Sequence, residues 1–447
     1  MPPREKPTAN SFVLEKATIS SPAFSDGAFI DIKNVITDIE IFEHLDKPYL
    51  TGTVVFVDDA NIYNSVDFTG SEKLSISVAL PGDESTSIEK DFIIQKVMKN
   101  IKGNDNSSTI LVHIIEEHAF NSLLINVNKP YTGKPTDIIQ SIIIDNLGKE
   151  FSEVDEDDQE PMRVIIPNLT PIEAALWVRN RAISATSTPY YLFSTLANKK
   201  LHCIPLDKML QTSPDITPYW YSQSVTSAAA SQSIEEQSYI IQYYETKNND
   251  DILSMVNMGF VGAKYTYYDS MLGRPGPAII FDIDKTLNEM VANDVIAKNQ
   301  NKLSFTTGYE LNGNTLNTIQ SKNVTRLVST DVFPDVNTYN EAANTAKHKQ
   351  KVIAAAMRQF VGRNAIDVIL PGRNFLIGEY SNTIGNQIKL KFLNNSVNTK
   401  NRDENLDTKK SGDYLMYAVK HVFKKERYDV TASCVKLADL PQESELS

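Results

Sequence analysis

The chain has 447 residues, 41% hydrophobic and 22% charged, a balance ordinary for a folded protein and long enough for about two to four domains. Forty-four Lys and Arg against 56 Asp and Glu leave a net charge of −12, which argues against direct binding of duplex nucleic acid and weakens attraction to anionic membranes. Two cysteines, Cys203 and Cys434, cannot build a disulfide framework, so packing or assembly must supply stability, and a reducing compartment is expected. No run approaches the ~20 apolar residues of a transmembrane helix. The opening Met-Pro-Pro-Arg-Glu-Lys-Pro lacks the apolar stretch of a signal peptide, so membrane and secretory roles are not expected.

After a Ser/Pro-rich lead-in to about Asp26, the sequence reads as short strands. Leu74, Ile76, Val78 and Leu80 alternate with Lys73, Ser75, Ser77 and Ala79, the period of a half-buried strand, and Pro81-Gly82-Asp83 turns it. Ile30/Ile32, Ile39/Ile41, Thr53–Val57, Phe92–Met98 and Ile110/Val112/Ile114 predict further strands, with Gly103–Asn106 as a turn. Close strands with Gly/Pro/Asn punctuation predict a small barrel or sandwich.

Beyond Pro130 the period becomes helical. Ile138, Ile139, Ile142, Ile143 and Leu147 fall on one face, and Gly148 stands where a C′ residue belongs. Glu150–Glu160 carries seven carboxylates without the ordered spacing of a calcium loop and is read as solvated loop. Thr170-Pro171-Ile172-Glu173 combines a capping-box Thr, Pro at N1 and Glu at N3, so a helix starts there, with Ile172, Leu176 and Ile183 as its stripe. Tyr190–Ser194 and Leu201–Ile204 predict a hairpin. Tyr239–Tyr244 and Lys264–Tyr268 read as strands and Asp250–Met258 as a helix. Residues 299–336, rich in Asn and Thr, read as a long excursion of unassigned role. Thr338-Tyr-Asn-Glu341 is a second capping box, for a helix reaching Phe360. Strands resume at Val368–Leu370, Ile388/Leu390/Phe392, Tyr414–Phe423 and Tyr428–Val435, the last two joined by Lys424–Arg427; the loop Asn394–Ser411 separates them from the earlier ones.

One enzymatic pattern presents itself. Ala278–Leu287 is an apolar strand running into Asp282-x-Asp284-x-Thr286, which resembles the first motif of haloacid-dehalogenase-type phosphatases, where Asp282 would be nucleophile and Asp284 acid/base beside Mg²⁺. That family places this strand at the start of a doubly wound α/β domain. Here Asn-rich chain, one long helix and alternating strands follow, so the pair is read as exposed carboxylates at a strand end before a helix at Thr286. Histidines 44, 113, 118, 202, 348 and 421 are scattered without metal-ligand spacing. Lys347–Lys351 is read as a solvated basic helix face. Glycine-rich phosphate loops are absent, and the Asn-x-Ser/Thr triplets at 106, 168, 323 and 394 carry no weight without a secretory route. No catalytic residue, cofactor site or metal site is assigned.

Three segments carry a family resemblance. Gly412-x-Tyr414-Leu415, a strand bearing His421, leads through a charged turn into a strand opened by Tyr428. It looks like the closing hairpin of phage baseplate hub proteins. Leu370–Tyr380 resembles that family's Pro-Gly…Leu-x-x-Gly-Asp segment, with Glu379 where Asp is usual, and Pro167–Ser194 resembles its helix-to-strand unit. The resemblance implies a mainly β, α+β chain with two small, tail-tube-like antiparallel β-barrels around an α+β insertion. The implied boundaries are an extension at 1–25, a first barrel at 26–118, the insertion at 119–232, the first part of a second barrel at 233–268, a mixed excursion at 269–358, the rest of that barrel at 359–437, and a tail at 438–447.

It further implies a structural, non-catalytic baseplate hub of a contractile tail, related to type VI secretion spikes. Such a hub is a homotrimeric, pseudo-six-fold ring adapting the six-fold tail tube to the three-fold central spike. Its partners are the tube protein, the spike and the baseplate wedges, with DNA passing unbound through its channel. It resides in the virion tail after assembly in the host cytoplasm. A lysozyme domain is not expected: Glu404 and Asp413 have the spacing of phage-type lysozymes, but Val419 replaces the needed Thr. The alternatives are the Asp282/Asp284 phosphatase and a peripheral receptor-binding or wedge protein.

Overall fold

Alternation of inward apolar and outward polar residues writes the first seven strands: β1 (Val13–Ser20), β2 (Ile30–Asp31), β3 (Ile36–His44), β4 (Thr51–Asp58), β5 (Glu72–Leu80), β6 (Asp83–Asn104) and β7 (Ser107–Glu116). All pair antiparallel. The structure, a computed structural model, describes residues 8–24, 27–104, 107–158, 161–211, 217–221, 233–247, 252–269, 274–275, 278–294, 302–303, 308–318, 322–327, 333–334, 345–359, 365–377, 383–393, 406–425, 427–436 and 438–439. Leu80 pairs with Asp83 across Pro81-Gly82, where φ of +80° at Gly82 is cheap only for glycine. Three register shifts between β6 and β7 twist this long hairpin. β1 lies in the Ser/Pro-rich lead-in, where the sequence marked no strand. Only Ala17 and Ile19 of that strand are buried, too short a signal to stand out among flanking Ser and Pro.

The insertion holds β8 (Pro130–Gly133), β9 (Phe151–Val154), β10 (Met162–Ile165), β11 (Tyr190–Ser194) and β12 (Leu201–Pro205). β8 pairs β10, and β12 lies between antiparallel β11 and parallel β9. Helix Pro135–Leu147 buries Ile138, Ile139, Ile142 and Ile143 and ends at Gly148, in the left-handed region at φ +61°. Helix Pro171–Arg179 opens with the expected reciprocal box: Glu173 N–H donates to Thr170 Oγ1 at 3.4 Å, and Thr170 N–H to Glu173 Oε2 at 3.1 Å. Ile183 lies beyond that helix, in an isolated bridge with Pro189. These elements share a core with Ile93 and Ile115, which seats the insertion on β6 and β7.

The acidic stretch is more structured than the solvated loop expected. Residues 151–154 are β9; Lys208 pairs with Glu153 and Asp155, and Lys200 with Glu150. Buried Asp157 accepts from Thr136 N–H at 2.9 Å and its hydroxyl at 2.8 Å, capping helix Pro135–Leu147. Net acidity along the sequence hid that these carboxylates divide between lysines and a helix start.

The remaining strands are β13 (Tyr219–Tyr221), β14 (Tyr243–Lys247), β15 (Gly262–Asp269), β16 (Arg274–Pro275), β17 (Ile279–Asp282), β18 (Lys302–Leu303), β19 (Glu310–Leu311), β20 (Asn314–Thr315), β21 (Lys322–Leu327), β22 (Phe333–Pro334), β23 (Ala365–Pro371), β24 (Gln387–Phe392), β25 (Gly412–Lys424), β26 (Arg427–Val435) and β27 (Ala438–Asp439). β15 pairs with β16 and β17 antiparallel and β21 parallel, β22 adds to β10, β18 pairs β27, and β19 pairs β20. Helix Ile252–Met258 and helix Thr345–Met357 flank this region. The capping box at Thr338–Glu341, Phe360 and residues 394–405 lie outside the described residues.

Two β-barrels were expected, and the sheet overturns that. Thirteen strands form one sheet in the order β14-β23-β26-β25-β3-β4-β7-β6-β5-β1-β2, with β24 on β25 and β13 on β24. Among the described residues no sheet closes on itself. β25 explains why. Its 13 residues outlast the six of β24, so Gly412–Leu415 pair with β24 and Ala418–Lys424 pair with β3. Alternation specifies which face of a strand is buried, not which neighbour its last residues choose. The protein is α+β and mainly β, and the larger of its two core clusters runs from Phe12 through Val54 to Val435.

Pro371 ends β23, and at Gly372 the backbone meets the Tyr428 ring. A Cβ on Gly372 would stand 2.0 Å from Tyr428 Cδ1, and that ring stacks on Phe423 at 4.2 Å. Gly372→Ala must push a fully buried aromatic stack aside. The expected loss is about 1–3 kcal/mol in urea unfolding; unchanged stability would mean the Gly372–Tyr428 approach is not a packing constraint.

Candidate functional site

The phosphatase motif takes another role in the fold. Asp282 ends β17 and N-caps helix Ile283–Ala292, its carboxylate accepting from Asp284 N–H at 3.0 Å, Lys285 N–H at 3.4 Å and Asn317 Nδ2 at 3.2 Å. The helix starts three residues before Thr286, and neither carboxylate is fully exposed. β17 runs antiparallel to β15, whereas the phosphatase fold needs a parallel strand there. Gly262, which pairs with Asp282 across β15 and β17, approaches Asn317 so closely that a Cβ would lie 2.3 Å from its carbonyl oxygen.

The other sequence candidates are also spent on structure. His113 Nδ1 bonds Gln95 Oε1 at 2.9 Å, and His44 Nδ1 accepts from Asp46 N–H at 3.0 Å. His202 stacks on Phe193 at 5.2 Å, and burial pushes its pKa down to about 4. Lys349 pairs with Glu289 at 3.2 Å. Cys203 and Cys434 are buried, and burial pushes the Cys203 thiol up to about 12. Among the described residues no group of three His, Cys, Asp or Glu could hold a metal ion. Side-chain placement of His348 and Glu404 lies outside them.

Two buried polar clusters were not foreseen. The first joins the insertion to the sheet at Glu116, the last residue of β7. Its Oε2 accepts from Leu50 N–H at 3.0 Å and Ser194 Oγ at 2.9 Å; its Oε1 accepts from Lys149 Nζ at 2.8 Å, with Lys90 Nζ at 3.5 Å and His118 Nδ1 at 3.8 Å. Burial alone would raise this carboxyl, but Lys90, His118 and Lys149 outweigh it and hold the group far below the usual range. Lys90, buried with it, is lowered by desolvation and also donates to Asn198 O at 2.6 Å. A cleft of about 320 Å³ opens here, lined by Lys90, Glu116, His118 and Lys149 and rimmed by Glu89 and Lys199. The carboxylate meets donors on all sides, so it has no lone pair left for general-base work.

The second cluster lies at the β25–β3 seam. Glu43 accepts from Leu196 N–H at 2.5 Å and from the Thr383 hydroxyl, and His421 Nε2 faces its Oε1 at 3.1 Å. His421 Nδ1 meets the Tyr428 hydroxyl at 2.7 Å. A ring that accepts from Tyr428 at Nδ1 carries its proton on Nε2, toward Glu43. Burial would raise Glu43, yet His421, Thr383 and Leu196 together lower it. A Glu–His–Tyr relay can shuttle protons in principle; this one is sealed, with all three side chains nearly or fully buried, and meets no substrate. The signal was present: Glu43 follows Ile39 and Ile41, and Glu116 follows Val112 and Ile114, each at the next inward position of its strand.

No known protein-family model matches the sequence, and no curated protein does. Similarity is found in structure. The tail protein from Neisseria meningitidis MC58 aligns over 95% of this chain and 96% of its own, at a TM-score of 0.50 and 7% identity. The 43 kDa tail protein of prophage MuSo2 from Shewanella oneidensis aligns over 94% and 98%, at 0.51 and 11%. At such identities the likeness is one of fold. The chain has the fold of these tail proteins along nearly its whole length.

Two outcomes follow from the charged groups. Glu116→Gln leaves Lys90 buried without its main counter-charge, and a loss of about 3–5 kcal/mol is expected in urea unfolding at pH 7. A carboxyl lowered in the folded state binds its proton more readily when unfolded. Its stabilisation is therefore complete above about pH 4.3 and lost below it, while His202 contributes a loss in the same direction from about pH 6.5 down. Stability should fall in two stages on acidification, and Glu116→Gln should flatten the second; an unaltered acid limb would remove Glu116 as its cause. Separately, Asp282→Ala should cost about 1 kcal/mol as a lost cap. Mg²⁺-dependent hydrolysis of p-nitrophenyl phosphate, abolished in Asp282→Asn, would instead reinstate the phosphatase.

Proposed function

We propose that this chain is a non-catalytic structural protein of a phage-type tail, and more specifically the baseplate hub between tail tube and central spike. The observation carrying the reading is the near-complete, end-to-end fold match to two tail proteins, each covered over 96% or more of its own length. The hairpin with His421 and Tyr428 and the Pro371-Gly372 segment, which carry the family resemblance in sequence, meet at one buried node, and this supports the same reading. In the proposed hub three chains close a ring that faces a six-fold tube on one side and the three-fold spike on the other. The net charge of −12 suits a wall past which DNA moves without being held. Wedge proteins would dock outside, in the virion tail, after assembly in the host cytoplasm.

The test is oligomeric mass and particle image. Light scattering of the purified chain should give three times the 50.0 kDa chain mass, or that mass plus the spike's when the spike partner is bound, and averaged tail images should show a three-fold ring at the tube–spike junction. A chain that stays monomeric in both, and labels the baseplate periphery, would favour the receptor-binding or wedge alternative.

A further inference from the structure

Helix Pro171–Arg179 and helix Thr345–Met357 each end on an arginine, Arg179 and the following Arg358. One neutral oxygen holds the two guanidiniums together: Asn180 Oδ1 accepts from Arg358 Nη1 at 2.8 Å and lies 3.5 Å from Arg179 Nη2. Asp46 Oδ1 takes Arg179 Nη1 at 2.9 Å, but that carboxylate is 44% exposed and, among the described residues, makes an ion pair within 4 Å with Arg179 only. Arg358 has no carboxylate partner among the described residues. Among the described residues Arg179 Nε and the Tyr191 hydroxyl, on two buried side chains, have no hydrogen-bond partner, and Tyr191 lies within electrostatic reach of Arg179, Arg358 and Asp46. Burial and the neighbouring Arg179 push the Arg358 guanidinium down to about 10.

Two cations against one half-exposed anion leave a net positive charge, and two orphaned donors leave hydrogen bonds unmade. Helix C-termini attract cations, which explains why arginines stand at these ends. That attraction does not explain two guanidiniums forced onto a single amide oxygen, nor a buried phenol with nothing to bond.

We propose that Arg179, Arg358 and Tyr191 form a binding site for a small tetrahedral oxyanion of the phosphate class. Each guanidinium presents five N–H donors in a planar fork, most of them uncommitted here, and a tetrahedral anion can engage two forks and a hydroxyl together. Exposed Asn180 and half-exposed Asp46 mark the side open to solvent. The site joins the insertion (Arg179, Tyr191), the loop after β3 (Asp46) and helix Thr345–Met357 (Arg358), so an anion bound there would brace three parts of the chain.

The test is thermal unfolding of the full chain in inorganic phosphate, with chloride and acetate at matched ionic strength. Phosphate should raise the midpoint above both controls, saturably. Arg358→Gln should weaken the apparent affinity by about tenfold or more, the worth of one charged hydrogen-bonding partner. In chloride its midpoint should equal or exceed that of the parent, because repulsion with Arg179 is relieved. A purely structural arginine would lower the midpoint in every salt and overturn the proposal. Tyr191→Phe, which keeps the ring and its packing, should weaken phosphate stabilisation alone. Equal midpoints in phosphate and chloride overturn the site, and an equal rise in acetate overturns the tetrahedral assignment in favour of a carboxylate.

Discussion

The pairing of Ala418–Lys424 with Asp38–His44 is the constraint on which the rest of the fold depends. It brings a strand near the C-terminal end against one near the N-terminal end, and it does so around a buried charge. Glu43 could not remain ionised in that core without Leu196, Thr383 and His421, and those residues come from three distant parts of the sequence. A buried carboxylate is poor evidence of net stability, since desolvation offsets much of what its partners return. Its effect is on specificity. A two-residue slip of β25 along β3 keeps the apolar faces aligned but would carry His421 away from Glu43 and strand the charge, so the polar node fixes register where apolar alternation does not.

Glu116 applies the same logic to the insertion. Its donors come from the sheet (Lys90 on β6), the loop before β4 (Leu50), the end of β11 (Ser194) and the chain after helix Pro135–Leu147 (Lys149). Apolar packing of Ile93 and Ile115 against the insertion is nondirectional, and the carboxylate decides the angle at which the units meet. Both nodes gather acids and bases at distances that catalysis also uses. Saturated acceptors at Glu116 and a sealed interior at Glu43 make each a joint and leave neither a reactive atom.

Local chemistry was well written in the sequence, and partnership was not. The alternation of Leu74–Leu80, the Thr170–Glu173 box, Gly148 beyond its helix and the Tyr190–Ile204 hairpin all appear where periodicity and capping placed them, because each depends on contacts a few residues apart. The two barrels failed because closure is a statement about the last hydrogen bond of a strand. β1 failed because two buried side chains make a weak pattern. Glu43 and Glu116 were legible as charges in inward positions, but naming their partners required knowing that residues 383, 421, 194 and 149 would arrive. The sequence motifs of the family resemblance fared better than its architecture. His421, Tyr428 and Gly372, from two of the segments that carry the resemblance, are residues of one contact set.

An open sheet of this size raises the problem of its ends. Unpaired strand edges recruit other strands, and a 13-stranded template could seed endless edge-to-edge growth. The described ends are ill suited to it. β2 is two residues long, and β14 is five residues carrying Glu245 and Lys247 beside an exposed Tyr243. Short, charged edges offer few backbone bonds and penalise a register that buries them. An assembly built from this chain would therefore find its contacts on sheet faces and loops, where complementarity can be specific and symmetry can close. A ring needs contacts of that kind, because its interface count must end. Among the described residues the longest strands spend their backbone pairing internally, as β25 does on β26 and β3.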